Sequence, residues 1–263
     1  MELQGTTALI TGATGGIGQA IARALTAAGA RVTLSGRRVD VLEPLAQELG
    51  AQTIAADLAE RADVARLAQA ALATDVLVAN AALPASGPLQ AFSVEEIDRA
   101  LEVNLRAPIV LTRELSAAMQ ERGRGHVVLI SSIAGKTTTS GSSLYSATKF
   151  GLRGFGQALR GDLHGSGVGV SVVFPGFIRD AGMFHDSGVQ LPSYVGTRTP
   201  EQVADAVVDA IRRDRGEVDV APASVRAGAM FAQIAPALSA RLTRRLGSDA
   251  IARDFASGQA SKR

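Results

Sequence analysis

Tyr145 and Lys149 stand four residues apart, and Ser132 precedes the tyrosine by thirteen positions. On a helix, positions i and i+4 share a face, so this spacing sets a phenol beside an ammonium. An unperturbed tyrosine titrates near ~10. A neighbouring positive charge favours the phenolate and draws that value towards neutrality. A tyrosine tuned this way gives or accepts a proton at working pH.

The elements that must hold these groups are legible in the pattern of the chain. Short β-rich runs at 7–10, 31–34, 52–55, 75–79, 126–130, 168–174 and 217–220 alternate with amphipathic stretches at 16–28, 39–49, 61–73, 94–121, 144–164 and 200–213. Strand and helix in alternation predict an α/β fold, a single-domain, doubly wound parallel sheet of about seven strands with helices on both faces. Residues 75–79 are nearly all apolar, as a strand buried on both faces requires. Thr199, Pro200 and Gln202 supply a cap, a first-turn proline and a capping-box partner for the helix at 200. Residues 1–221 are expected to form one domain, and 180–198 a long Gly- and Ser-containing loop of the kind that forms active-site lids. Residues 222–263 read as a basic helical extension that Pro236 divides in two, with a disordered end at 257–263.

A glycine loop runs from Thr11 to Gly18, between the first strand and the first helix. Gly12, Gly15, Gly16 and Gly18 permit a tight turn and close backbone approach to a pyrophosphate. The helix N-terminus then offers free N–H groups to that anion. The position between a strand and a helix of a βαβ unit makes this signal specific. The second strand ends without a carboxylate to accept from a ribose diol; Gly36, Arg37 and Arg38 stand there instead. Guanidinium groups suit a 2′-phosphate, so NADP(H) is favoured, with NAD(H) as the alternative. Asp57 is placed to accept from an adenine amino group or to cap the helix that follows.

The 263-residue chain is 46% hydrophobic and carries a net charge of +2, which sets nucleic acid aside as a partner. It lacks cysteine, and His126, His164 and His185 show no metal-ligand spacing, so no metal is expected. Neither a signal peptide nor an apolar run of membrane-spanning length is visible, and a cytoplasmic protein is expected.

Together these residues resemble the short-chain dehydrogenase/reductase family, from about residue 3 to 221. The match rests on Thr11–Gly18, Asn80, Asn104, Ser132, Tyr145, Lys149 and Pro175-Gly176, in this order and at these spacings. The resemblance implies an oxidoreductase that interconverts a carbonyl and an alcohol by hydride transfer. Tyr145 would be the general acid or base, and Lys149 would lower its pKa and hold the nicotinamide ribose. Ser132 would hold the substrate oxygen, and Asn104 would anchor a water that relays protons from Lys149. It also implies cofactor contacts from Gly12, Thr14, Gly15, Gly16, Ile17 and Gly18, and from Arg37, Arg38, Asp57, Leu58, Asn80 and Ala81. Pro175, Gly176 and Ile178 complete that set with Tyr145 and Lys149.

Three positions depart from the family pattern. Ala82 replaces a glycine after the fourth strand, Asp180 replaces a threonine five residues after Pro175, and Ala13 and Thr14 hold no basic residue. Ala82 and Asp180 lend weight to an alternative, a non-catalytic NAD(P)-binding sensor or scaffold, while the lack of a basic residue at 13 and 14 leaves Arg37 and Arg38 as the main argument for NADP. Met183, Phe184, Val189, Leu191 and Tyr194 are candidates for an apolar wall around a hydrophobic carbonyl or alcohol, or for packing the lid onto the core. The family implies a homodimer or homotetramer built on the two long helices, with Ile97, Leu101, Leu105, Phe155, Leu159 and Leu163 as candidates, several of which must instead face the sheet. The basic amphipathic tail is read as packing on its own subunit, closing the site or docking on a neighbour rather than binding a membrane.

Overall fold

A computed structural model of the chain describes residues 1–189, 195–245 and 258. The strands are β1 (Thr7–Thr11), β2 (Arg31–Gly36), β3 (Gln52–Ala55), β4 (Val76–Ala79), β5 (Gly125–Ile130), β6 (Val168–Pro175) and β7 (Glu217–Val220). They form one sheet in the order β3-β2-β1-β4-β5-β6-β7, with every neighbouring pair parallel. The helices are α1 (Gly16–Ala27), α2 (Val39–Leu49), α3 (Arg61–Ala70), α4 (Val94–Leu101), α5 (Ala107–Glu121) and α6 (Ser143–Asp162). They continue with α7 (Gly182–Ser187), α8 (Pro200–Arg213), α9 (Ala223–Ile234) and α10 (Pro236–Arg245).

Successive strand residues point to opposite faces, so each strand feeds two cores. Ile10, Val76 and Val78 face one side, where Ile21, Leu25 and Leu42 from α1 and α2 and Val203 and Val207 from α8 cover them. Leu9, Leu77 and Leu129 face the other, under Leu67 of α3 and Leu111 and Leu115 of α5. Truncating one of these leucines to alanine removes about 2–5 kcal/mol.

The direction of sheet winding reverses between β1 and β4, and a crevice opens at the carboxyl ends of such strands. Thr11 ends β1 and Ala79 ends β4, so the glycine loop and Asn80 meet at that crevice. The Asn80 amide donates to the carbonyls of Thr11 and Gly12 at 3.1 and 3.2 Å and ties the two strand ends together.

Two sequence expectations change. The single helix expected over 94–121 is two, because α4 passes through a π turn at Glu102–Arg106 before α5. Pro108 has no N–H to offer the Asn104 carbonyl four residues back, and the ladder shifts so that the Ala107 N–H donates to Glu102. The segment 180–198 is not all loop, since it contains α7, and Ile178 bridges Arg198 at its base. Leu163 is buried, and Phe155 and Leu159 pack partly against the core, which makes them the candidates expected to face the sheet. The capping box at Thr199 and Gln202 forms as the spacing predicts, and Pro236 opens α10 after the break at Ala235. Leu191, Tyr194 and, apart from Gly258, residues 257–263 lie outside the described residues.

Candidate active site

Ser132 follows β5 and caps a short 3-10 turn, Ile133–Gly135, accepting from the Ala134 N–H at 3.2 Å. Tyr145 and Lys149 lie one turn apart on α6, as their spacing requires. All three line one cavity of about 320 Å³ whose walls are mostly apolar. Its floor is clamped: the Ser131 hydroxyl donates to the Lys149 carbonyl at 2.9 Å, and a side chain at Gly135 would lie 2.7 Å from that same carbonyl oxygen. Only glycine lets the serine-bearing turn come this close to α6.

The electrostatics correct one expectation. Lys149 is 2% exposed and its ammonium donates to the Ile130 carbonyl at 3.0 Å. No carboxylate offsets its desolvation, and burial pushes its pKa down to about 8. Burial likewise pushes Tyr145 up to about 12, against an opposing pull from the Ser132 hydroxyl. The Lys149 ammonium, 5.6 Å from the ring centroid, does not bring the phenol of this chain towards neutrality. Low dielectric outweighs charge proximity here, and the favoured pair at pH 7 is a neutral phenol beside an ammonium.

Asn104 lines neither cavity. Its side chain accepts from the Leu83 N–H at 2.6 Å and donates to the Leu83 carbonyl at 2.9 Å, fastening the segment after β4 to the π turn. Pro108 leaves the Asn104 backbone carbonyl without a donor four residues on.

A second cleft of about 520 Å³ lies over the glycine loop. Gly12, Thr14, Gly15, Gly16, Ile17 and Gly18 line it, with Arg37, Arg38, Asp57, Leu58, Asn80 and Ala81. Pro175, Gly176 and Ile178 line the first cavity instead. Ile17, Asn80, Ala82 and Met183 border both, so the two form one continuous trough. A Cβ at Gly12 would lie 2.7 Å from the Ala81 Cα, whereas one at Gly15 meets only the Gly12 carbonyl at 3.6 Å and would project into free space. That open, Cβ-free edge beside a helix N-terminus suits a phosphate. Arg38 donates to the Thr14 carbonyl at 2.9 Å, and Arg37 is half exposed at the cleft rim. Asp57 lines this cleft and is also engaged within the protein. One oxygen accepts from the Ala59 N–H at 3.0 Å and the other pairs with Arg99 at 3.2 Å and Arg37 at 3.8 Å.

The lid reaches both cavities. Met183, Phe184 and Val189 line the catalytic cavity, with Phe177 packed edge-on to Phe184. Ala82 lines both cavities, while the Asp180 side chain points to solvent, pairs with Arg179 at 3.3 Å and lines neither. Asp180 has φ of 69°, a left-handed conformation that aspartate tolerates better than threonine. Sequence reasoning missed Phe177, Thr137 and Thr139 in the catalytic cavity, Asp186 in the loop cleft and the Arg99 partner of Asp57. Phe177 adjoins the motif Pro175-Gly176 and was findable; Arg99 lies 42 residues from Asp57 with no local signal.

Comparison with known proteins fits this geometry. The short chain dehydrogenase family model matches residues 6–191. The ketoacyl reductase HetN of Nostoc sp. is 39% identical over 227 residues, covering 83% of this chain and 79% of that protein. A metagenomic short-chain oxidoreductase solved in complex with NADP is 34% identical, with a TM-score of 0.69 over 84% of this chain and 97% of that one. A Sphingobium yanoikuyae short-chain dehydrogenase in complex with NADPH has a TM-score of 0.76 at 26% identity, covering 89% and 95%. The chain belongs to the short-chain dehydrogenase family. It is an NAD(P)-dependent oxidoreductase acting on CH–OH groups. Among the described residues there is no metal-binding cluster, and no helix is long and apolar enough to cross a membrane.

Proposed function

We propose that this chain is an NADP(H)-dependent enzyme that interconverts a hydrophobic ketone and its secondary alcohol, with Tyr145 as the proton donor in reduction. The carrying observation is that Ser132, Tyr145 and Lys149 share one apolar cavity opening onto the glycine-loop cleft. The loop N–H groups and the α1 N-terminus would hold the pyrophosphate, and Arg37 and Arg38 the 2′-phosphate. The bound nicotinamide supplies the hydride. The Ser132 hydroxyl donates to the substrate oxygen and stabilises the negative charge that grows there. The neutral Tyr145 phenol then protonates that oxygen, and the Lys149 ammonium stabilises the phenolate left behind. The apolar walls exclude water and strengthen both hydrogen bonds. The names of relatives support a ketoacyl or 3-hydroxy acid type of substrate, which places a carbonyl beside an acyl chain.

The test pairs turnover with binding. Wild-type protein and Tyr145→Phe are assayed on a panel of 3-ketoacyl thioesters and simple ketones with NADPH and NADH. Expected is a loss of turnover of about 100-fold or more in the variant, with NADPH binding retained. Full turnover by Tyr145→Phe would falsify the assigned role. Binding of NADH as tight as NADPH, unaffected by Arg37→Ala, would remove the phosphate assignment.

A further inference from the structure

The two C-terminal helices contribute almost nothing to either core. Among the described residues α9 buries Ala229, and α10 buries only Ser239. Their large apolar side chains are outside instead: Met230 is 64% exposed, Ile234 78%, Leu238 56% and Leu242 50%. With Phe231, they make up half of the ten large hydrophobic residues exposed among the described residues. Met230 and Ile234 share one face of α9, and Leu238 and Leu242 one face of α10, by their spacing of four. Apolar faces left in water on consecutive helices mark a binding surface rather than scattered exposure.

Charge identifies what covers it. Residues 221–263 hold seven basic and two acidic residues, a net +5, while residues 1–220 hold twenty basic and twenty-three acidic, a net −3. Neither α9 nor α10 contains an acidic residue. Arg241, exposed and three residues after Leu238, shares its face, where a long stem lets the guanidinium rise to a headgroup while leucine enters the apolar layer. A two-fold contact between copies would set this basic patch against itself. We propose that α9 and α10 dock the enzyme reversibly on an anionic lipid surface, by apolar insertion beside arginine–phosphate contacts. Met230, Ile234, Leu238 and Leu242 line neither the catalytic cavity nor the glycine-loop cleft, so docking, for the acyl substrates proposed above, concentrates the enzyme where they partition without entering the chemistry.

The test uses the full chain with NADPH bound. Co-sedimentation is measured with vesicles of phosphatidylcholine alone and of phosphatidylcholine mixed with phosphatidylglycerol, at low and high salt, beside size-exclusion light scattering. Expected is binding to the anionic vesicles alone, weakened by salt. Arg241→Ala weakens it about fivefold, as for one basic residue at such a surface, and Leu238→Glu with Leu242→Glu abolishes it. Both variants retain NADPH affinity, because the substituted side chains are exposed. Absence of binding, or equal binding to neutral vesicles, overturns the proposal. So does a change of oligomeric state in the leucine variant without a change in vesicle binding, which would make this face a contact between copies.

Discussion

Ala181 lies directly on Gly16: a methyl group added to Gly16 would collide with the Ala181 methyl. Gly182 continues the contact, since its added Cβ would stand 3.3 Å from the Ile17 side chain. The segment before α7 therefore rests on the glycine-loop backbone proposed to cradle the cofactor phosphates, and one glycine serves both surfaces. Gly16→Ala is expected to weaken NADPH binding about tenfold, in the range of overpacking costs. Adding Ala181→Gly should recover part of that loss, because the two positions share one contact. A double-mutant cycle on NADPH affinity checks it, and strict additivity would show that the lid and loop are uncoupled.

The buried ammonium sets a pH limit. Lys149 is cationic below about 8 and neutral above it, while Tyr145 stays protonated to about 12. In the proposed mechanism, reduction needs a protonated phenol and an ammonium to steady the phenolate. Its kcat/KM is therefore expected to fall as pH rises through about 8, with the loss assigned to the lysine rather than the tyrosine. A pH–rate profile for ketone reduction reads the midpoint directly. A flat profile to pH 10 would contradict it.

His126 makes stability, rather than activity, sensitive to acid. Its ring is 2% exposed at the start of β5, with Nε2 2.8 Å from the Ser171 hydroxyl. Burial pushes its pKa from 6.5 down to about 4, outweighing the attraction of the Asp214 carboxylate and assisted by Arg160 and the N-terminal ammonium. The unfolded chain takes up this proton below 6.5 and the folded chain resists it, so stability is lost as pH falls from about 6.5 to 4. The shift corresponds to roughly 3 kcal/mol. Urea unfolding of wild type and His126→Gln at pH 7 and 4.5 should show a smaller acid loss in the variant.

Lys136 holds the catalytic turn from behind. It follows the 3-10 turn that begins at Ser132, and its ammonium binds Asp219 at 2.6 Å and Glu217 at 2.9 Å over the face of Phe174. Lys136→Met is expected to lower stability by about 2 kcal/mol. That is less than for a fully buried pair, because the carboxylates are partly exposed and Glu217 keeps Arg153 at 2.8 Å. Turnover should fall further than stability explains, through kcat, with NADPH affinity unchanged. An unchanged kcat would mean that the clamp does not position Ser132.

The features legible in the sequence were those fixed by local geometry. Glycines between a strand and a helix, a tyrosine and lysine one turn apart, and a capping box at Thr199 each carry their meaning within a few residues. Tertiary decisions were not legible. Whether the Asn80 amide faces a ligand or the Thr11 and Gly12 carbonyls depends on which strand lies beside β1. The Tyr145 pKa depends on how deeply a cavity walled by distant segments desolvates it, and spacing reports charge proximity alone. The π turn within 94–121 sets the Asn104 side chain on Leu83, a contact that amphipathic periodicity does not record.

The tie from Asn80 to Thr11 also has a temporal meaning. It joins residues 69 positions apart across a parallel pair, and such long-range pairings form slowly because a large loop must close first. A nascent chain that ends before β4 has its glycine loop held to β2 alone, through the Ala13 N–H on the Ser35 carbonyl and Arg38 on the Thr14 carbonyl. The second wall of the loop therefore arrives at one step of folding, when β4 seats beside β1.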